Sequence, residues 1–192
     1  MIYTYRRALP LIALLGLSAA VALRVQLAGV AGAGSPLAGM WFAAALAIVA
    51  WCTHDADRAV GLRLRHVGAG VAGAVVLCVP AGLRHVLAGR DVLPLDGYLS
   101  WALIVTVVAV AEESLLRGSL FSVLELRHGT AVAVTVTSAA FALLHAPVYG
   151  WAVVPLDLAV GVWLGTLRAV TGTVTAPAVA HTVADLAGWW LR

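Results

Sequence analysis

Two adjacent glutamates stand inside a stretch of sequence that is otherwise typical of a membrane-spanning helix. The stretch reads YLSWALIVTVVAVAEESLLRGSLF, and its Glu112 and Glu113 are two of the three glutamates in the chain. A carboxylate at the centre of a bilayer costs at least about 2.5–3.5 kcal/mol. Arg117 follows Glu113 by four residues, which is the favoured order for an ion pair on one helical face. We predict that Arg117 neutralises Glu113. Glu112 is rotated about 100° away, so it is either a functional carboxylate or a protonated one bonded to another helix.

Two later clusters also place polar side chains in apolar sequence. SAAFALLHAP carries Phe141 and His145 four residues apart, and TAPAVAHTVADLAG carries His181 and Asp185 at the same spacing. Residues four apart share a helical face. His145 is either an interhelical hydrogen-bonding residue or a functional one. For the second pair, Asp185 either orients His181 in a structural role or forms a catalytic or ligand-binding pair with it.

A helical hairpin would bring the first two clusters to the same depth. Glu112 lies sixteen residues before His128, and His145 lies sixteen residues after Gly129. If two antiparallel helices turn there, both side chains are about 24 Å from the turn along the helix axis. A glutamate and a histidine that meet at this depth can activate a water molecule, with the glutamate as base and the histidine as orienting group or proton shuttle.

The composition indicates which elements position these residues. The chain is 62% hydrophobic and 11% charged, whereas soluble domains carry about 25% charged residues. We therefore predict an all-α, polytopic membrane bundle that forms one integral-membrane domain over residues 1–192. The start resembles a signal peptide, but further apolar spans follow, so an uncleaved first span is expected. About seven spans of the required length are predicted, at residues 8–28, 37–53, 67–88, 98–120, 129–147, 151–170 and 173–191.

Arginine placement predicts the orientation, since cytoplasmic loops are enriched in basic residues. A cytoplasmic N-terminus in a bacterial cell membrane places most arginines of the loops and span ends inside, namely Arg6, Arg7, Arg58, Arg63, Arg65, Arg127 and Arg168. Arg24 and Arg84 are expected to reach the outer surface by snorkelling. Asp157 is expected near the outer interface or against another helix. No basic run interleaved with aromatic residues indicates a nucleic-acid partner, so the expected partners are lipid and a peptide or membrane-protein substrate. The oligomeric state is not predicted.

Two glycines in the sixth predicted span are expected to let helices pack closely. Gly161 and Gly165 lie four residues apart, which is a spacing typical of close helix packing in membranes. We interpret this pair as structural rather than catalytic.

The three polar clusters, taken in order, resemble the CAAX-processing and bacteriocin-processing (CPBP, or Abi) family of intramembrane proteases. That family's pattern is Glu-Glu-x-x-x-Arg, then Phe-x-x-x-His, then His-x-x-x-Asn or Asp, on successive membrane helices. Here the three motifs read EESLLR, FALLH and HTVAD, and the resemblance covers residues 98–188. It implies a helical fold with a polar cavity open to the cytoplasm. It also implies peptide-bond hydrolysis by a glutamic mechanism without a cofactor.

The resemblance implies a role for each matching residue. Glu112 and His145 would activate water, and His181 and Asp185 would stabilise the oxyanion, with support from residues Glu113, Arg117 and Phe141. Asn is commoner in the family where this chain has Asp185, and an ionised aspartate repels an oxyanion. Asp185 is therefore expected to be protonated, to orient His181, or to bind a metal. Seven spans also depart from the eight of the eukaryotic relatives.

Three other functions are compatible with the sequence. A zinc-dependent protease would use Glu112, His145 and His181 as ligands, because histidine and carboxylate side chains bind zinc. A non-catalytic scaffold, chaperone or bacteriocin immunity protein would need none of this chemistry. A proton-coupled transporter would use Glu112 and His145 as a relay, but the broken-helix repeats typical of transporters are not evident.

Overall fold

The structure is a computed structural model that describes residues 2–32, 35–53, 63–88 and 95–191, without the side chains of residues 2–7 and 31. Within these ranges the chain is helical and contains no strand. This follows from the apolar composition, because in lipid a helix satisfies every backbone hydrogen bond within one segment. The predicted all-α membrane bundle is confirmed. Of the arginines used to predict orientation, the side chains of Arg6 and Arg7, and the whole of Arg58, lie outside the described residues.

Eight α-helices follow one another along the described chain. Between the fourth and fifth helices a π-helix, Ser114–Leu120, continues the helical path without a break, and a short 3₁₀ turn, Trp151–Val153, precedes the seventh. The α-helices are α1 Ile2–Ala31, α2 Pro36–Thr53, α3 Leu64–Ala88, α4 Tyr98–Glu113, α5 Phe121–His128, α6 Thr130–Tyr149, α7 Val154–Thr171 and α8 Thr175–Leu191.

All seven predicted spans are helical, and one is longer than expected. The segment predicted to end at residue 120 continues through the π-helix and α5 to form one helical stretch, Tyr98–His128. Six helices of the described chain are long and apolar enough to cross a membrane. The last helix, α8, has 17 residues, which is at the lower limit of length for a membrane span.

The predicted hairpin between α5 and α6 turns at Gly129. Its backbone has φ +84° and ψ 167°, a region of backbone space that is essentially restricted to glycine. This turn sends α6 back along the preceding helix, and α5 packs against α6. The hairpin that was predicted from the spacing of Glu112 and His145 is therefore confirmed.

The bundle is held by helix pairs that pack around a core between α1, α2, the π-helix and α6. Helix α3 packs mainly against α8, α7 against α6, and α2 against α1 and α4. The fully buried core residues include Phe42, Leu46, Leu115, Phe121 and Leu164. Many other large apolar side chains are exposed on the outside of the bundle, as expected for a surface that faces lipid.

Candidate functional site

Glu113 is the most enclosed carboxylate of the site. Its side chain is fully buried, and its Oε1 accepts hydrogen bonds from Arg117 Nη1 at 2.8 Å and from His181 Nδ1 at 3.0 Å. The predicted ion pair with Arg117 is confirmed. The bond from His181 adds a link from α8 that helix periodicity alone did not predict. Glu113 thus joins the first and third sequence motifs.

Arg117 is positioned by neighbouring helices as well as by Glu113. Its Nη2 donates to the carbonyl oxygen of Gly161 at 3.0 Å, and its guanidinium lies 4.9 Å from the centroid of the Phe141 ring. A Cβ atom on Gly161 would stand 2.9 Å from the Ser138 Cα atom. The predicted close approach at Gly161 is confirmed, and it brings the carbonyl of residue 161 within reach of the arginine.

A π-helix carries Arg117 and begins directly after the two glutamates. At its end, the N–H of Phe121 donates to the carbonyls of Leu116 and Gly118. The intervening carbonyl of Arg117 instead accepts from Arg168 Nε at 2.9 Å. Arg168 also donates to Ser122 Oγ at 3.2 Å. The wider turn thus leaves the Arg117 carbonyl without the N–H of Phe121 as its partner, and Arg168 supplies the hydrogen bond that a buried carbonyl requires.

Glu112 is buried but contacts its neighbours differently from Glu113. Its side chain is 2% exposed; Oε1 lies 4.0 Å from Arg24 Nη1, and Oε2 lies 3.9 Å from His181 Nε2. Oε1 has no hydrogen-bond partner among the described residues. Glu112 thus lies between two nitrogen-bearing side chains of α1 and α8, beyond hydrogen-bond distance from both.

Arg24 does not snorkel to the outer surface as predicted. It is buried, donates from Nη2 to the Tyr149 hydroxyl at 2.9 Å, and lies over the Phe42 ring at 4.7 Å. The prediction was wrong because it considered α1 alone. In the bundle, α1 packs beside α6, so Arg24 lies within reach of the Tyr149 hydroxyl and the Glu112 carboxylate.

His145 lies beside Asp157 rather than in contact with Glu112. Its Nδ1 lies 3.0 Å from the carbonyl oxygen of Phe141 and 3.5 Å from Asp157 Oδ2. Since a carbonyl accepts only, Nδ1 carries a proton, and Nε2 bears the lone pair in the neutral ring. Asp157 had two predicted locations, and the structure has it against another helix. No ion pair between His145 and Glu112 is found among the described side chains.

Phe141 separates the two histidines. Its ring centroid is 4.8 Å from that of His145 and 5.3 Å from that of His181, with both contacts close to edge-to-face. Phe141 therefore fixes the orientation of both imidazoles and of the Arg117 guanidinium. These shared contacts explain why a phenylalanine four residues before His145 belongs to the site.

His181 and Asp185 form the predicted contact on one face of α8. Asp185 Oδ2 lies 3.6 Å from His181 Nε2, and the aspartate side chain is 39% exposed while the histidine is buried. The two nitrogens of His181 thus face carboxylates from opposite sides, Glu113 at Nδ1 and both Glu112 and Asp185 at Nε2. Asp185 is the member of the cluster that is most accessible from outside the bundle.

The alternative zinc site on Glu112, His145 and His181 does not fit this arrangement. Within residues 2–32, 35–53, 63–88 and 95–191, no group of three or more His, Cys, Asp or Glu side chains is placed to hold a metal ion. Both ring nitrogens of His181 face carboxylates, and His145 is directed towards Asp157. The three proposed ligands do not converge on one point.

A cavity of about 610 Å³ lies on the other side of the π-helix. It is lined by small residues of α2, by α4 and the π-helix, and by the turn at residues 172–174. Ala111 and Ser114, which flank the two glutamates, form part of its wall. The carboxylates themselves face α1 and α8, so the cavity and the charged cluster are neighbours separated by the helix backbone.

Three site residues were not recognised from the sequence. Arg168 was interpreted as a topology signal, Arg24 as a snorkelling residue, and Asp157 as a residue near the outer interface or against another helix. The sequence contained a sign of each of these roles. A charged side chain inside an apolar span, whether an arginine or the aspartate in the first turn of α7, costs free energy unless it has a partner. The identity of that partner depends on tertiary contacts, which spacing along one helix does not reveal.

Comparison of the sequence with known protein families gives one match. Residues 94–187 match the family model described as type II CAAX prenyl endopeptidase Rce1-like. No curated protein and no solved structure gives a significant match. The matched region includes all three motifs, whereas Arg24 lies outside it. The match and the six span-length helices support an integral-membrane peptidase. Residues 94–187, just under half of the chain, are thus similar to the Rce1-like type II CAAX prenyl endopeptidases, in agreement with the resemblance of the three motifs.

Proposed function

We propose that the protein is an intramembrane endopeptidase in which Glu112 activates the attacking water. One observation carries the proposal, namely the different contacts of the two adjacent glutamates. Each glutamate has one buried oxygen without a hydrogen-bond partner among the described residues, Oε1 of Glu112 and Oε2 of Glu113. Glu113 nevertheless accepts hydrogen bonds from Arg117 and His181 at its other oxygen, whereas Arg24 and His181 lie about 4 Å from Glu112. A buried carboxylate of this kind is available to accept a proton from water.

The reaction then proceeds by addition and elimination. Glu112 takes a proton from water as the water oxygen bonds to the scissile carbonyl carbon, and a tetrahedral oxyanion forms. The proton passes to the peptide nitrogen, the oxyanion re-forms the C=O bond as the C–N bond breaks, and a carboxylic acid and an amine are released. His145 assists through Nε2, the ring atom that does not face Phe141 and Asp157. General acid–base assistance of this type contributes roughly 10²–10⁴-fold in rate.

His181 is proposed as the residue that stabilises the oxyanion. Its Nδ1 donates to Glu113, which fixes the ring, and a proton on Nε2 is the donor for the developing charge. One such donor is worth about 2.7–4 kcal/mol. Asp185 faces the same nitrogen at 3.6 Å. We therefore propose that Asp185 orients the His181 ring and does not itself bond to the oxyanion.

The substrate is proposed to be a peptide or a membrane-protein segment with an apolar part. The family description names CAAX prenyl endopeptidases, so a prenylated peptide ending in Cys-aliphatic-aliphatic-X is the first probe. The cavity beside the π-helix is lined mainly by small and apolar residues of α2 and α4, so it could hold an apolar part of the substrate, while the scissile bond would have to reach the carboxylates on the other face of the helix. The protein is proposed to lie in a bacterial cell membrane with its N-terminus in the cytoplasm.

The experiment compares purified wild-type protein with Glu112→Gln in lipid nanodiscs, and the probe peptide is assayed by mass spectrometry. We expect Glu112→Gln to lose at least about 10²-fold in kcat, because the amide cannot accept the proton. Glu125→Gln is the matched control, since Glu125 lies on α5 and accepts from Thr130. A peptide library replaces the probe if wild-type protein leaves it intact.

Two further measurements separate the alternative functions. If a chelator abolishes wild-type cleavage and zinc restores it, the protein is a metalloprotease and the proposal is wrong. If Glu112→Gln restores the phenotype of a deletion strain, the physiological role is that of a scaffold or immunity protein and does not require cleavage.

A further inference from the structure

An arginine from outside the matched region points at the proposed base. Arg24 lies on α1, and its Nη1 is 4.0 Å from Glu112 Oε1, while the family match begins at residue 94. The three sequence motifs therefore do not include it. Oε1 is also the oxygen of Glu112 that is buried without a hydrogen-bond partner among the described residues.

The Arg24 guanidinium is held by two other side chains. It donates from Nη2 to the Tyr149 hydroxyl at 2.9 Å, and its Cζ lies 4.7 Å from the Phe42 ring centroid and 5.6 Å from that of Tyr149. Contacts with two aromatic faces and one hydroxyl fix both the position and the plane of the group. Arg24 is thus anchored by α2 and α6 and does not depend on Glu112 for its placement.

Arg24 differs from the other charged neighbours of Glu112, because those neighbours are bonded to Glu113 or are Glu113 itself. On its own helical stretch Glu112 has Glu113 and Arg117, which are bonded to each other. From α8 it faces His181, whose Nδ1 is bonded to Glu113. Arg24 is the cation that α1 contributes, and it carries no bond to Glu113 among the contacts of the described chain. A full positive charge near Oε1 offsets the cost of a buried carboxylate.

We propose that Arg24 is a positioning residue for Glu112: its positive charge favours the ionised carboxylate, and its guanidinium, anchored by Tyr149, directs that carboxylate towards the substrate. This inference rests on the proposed function, because it assumes that Glu112 is the base. It extends the active unit from the matched region to α1, so residues 94–187 alone would lack the arginine that lies beside Oε1 of their own base.

The test measures kcat and KM separately for Arg24→Gln, Arg24→Lys and Arg84→Gln in nanodiscs, with the prenylated probe peptide or the peptide that the library identifies. Arg84 is an exposed arginine on α3 and is the matched control. We expect Arg24→Gln to lower kcat by about 10- to 100-fold, a part of the general-base contribution, while KM stays within about threefold. Arg24→Lys should recover part of kcat because it retains the charge.

Tyr149→Phe tests the anchor without removing the charge. Loss of the hydroxyl should lower kcat by several-fold, and the double variant with Arg24→Gln should be no slower than Arg24→Gln alone, since both changes act through one interaction. Tyr149→Phe also serves when Arg24→Gln does not fold, because it retains the arginine and both rings.

The possible outcomes separate this inference from the function on which it rests. Folded Arg24→Gln with the kcat of wild type, beside an inactive Glu112→Gln, overturns the role of Arg24 and leaves the proposed function intact. An active Glu112→Gln overturns both. A fall in melting temperature with unchanged kcat in the folded fraction shows a merely structural role and also overturns the inference. A selective loss of kcat with partial recovery in Arg24→Lys supports it.

Discussion

Glu112 and Glu113 are chemically identical neighbours, and their surroundings give them different properties. Glu113 Oε1 accepts two short hydrogen bonds, from Arg117 and His181. Glu112 has two nitrogen-bearing neighbours at about 4 Å and no hydrogen bond at Oε1 within the described chain. The division follows from helix geometry, since adjacent residues point about 100° apart and so meet different neighbouring helices.

Asp157→Asn is expected to lower kcat by about tenfold, within the range of general acid–base effects. The carboxylate faces His145 Nδ1 at 3.5 Å and stabilises the ring when it carries a second proton. Asp96→Asn, at an exposed position before α4, is the control. Steady-state kinetics on the probe peptide check the prediction, and equal rates for Asp157→Asn and wild type contradict it.

Asp185→Asn is expected to retain cleavage within about tenfold of wild type, whereas Asp185→Ala is expected to lose more. The amide still contacts His181 across the 3.6 Å separation and can donate to an oxyanion, while alanine does neither. The same kinetic assay checks both variants. An inactive Asp185→Asn would show that the negative charge itself is required.

The sequence predicted the residue-scale contacts that lie within one helix. The pairs Glu113–Arg117 and His181–Asp185 are four residues apart, and both contacts are observed. The contacts between helices were less predictable. Equal spacing from the turn at Gly129 predicts that His145 and Glu112 lie at a similar depth. Rotation about each helix axis decides which side chains touch, and spacing along the chain does not fix that rotation between helices.

At the scale of elements, the π-helix Ser114–Leu120 is the feature that the sequence did not predict. Its wider turn releases the carbonyl of Arg117, and Arg168 donates to that oxygen from α7. The same segment directs the Arg117 side chain towards Glu113 and Gly161. A π-helix leaves a backbone carbonyl that needs a hydrogen-bond donor from another helix. Its formation therefore depends on the packed bundle rather than on local sequence preference.

Gly161→Ala tests the close approach of α7 to α6. The added Cβ would stand 2.9 Å from the Ser138 Cα atom, so the helices must separate and Arg117 must lose its bond to the carbonyl of residue 161. We expect destabilisation of about 1–3 kcal/mol, the range for overpacking, together with reduced cleavage. Gly68→Ala on α3 is the control, because a Cβ there has no neighbour within 4 Å. Thermal unfolding in detergent measures both, and an unchanged melting temperature for Gly161→Ala contradicts the prediction.

At the scale of the whole molecule, composition was sufficient to predict the helical membrane bundle. The seven segments follow from apolar length alone, and Gly129 marks the tight turn between α5 and α6. Aromatic side chains of Tyr98, Trp101 and Trp189 pack together, which shows that the start of α4 and the end of α8 lie at one end of the bundle. The packing order was not predictable, because most lipid-facing and core-facing positions of this chain carry the same apolar residue types.

The proposed orientation gives a direct prediction for the C-terminus. With the N-terminus in the cytoplasm and seven spans, Trp189 and Trp190 lie at the outer surface. A C-terminal alkaline phosphatase fusion should therefore be active in a bacterial host, and a C-terminal green fluorescent protein fusion should be dark. The reverse result contradicts the arginine-based orientation without affecting the proposed chemistry.

Glu112 is assigned to catalysis and Glu113 to structure, and paired measurements on Glu112→Gln and Glu113→Gln test this assignment most directly. The kcat for the cleaved peptide and the melting temperature are measured for both variants in nanodiscs. Glu112→Gln should keep the melting temperature of wild type and lose at least about 10²-fold in kcat. Glu113→Gln should lose about 3–5 kcal/mol of stability, because Arg117 stays buried without its counter-ion. A Glu112→Gln protein that cleaves within threefold of wild type contradicts the account.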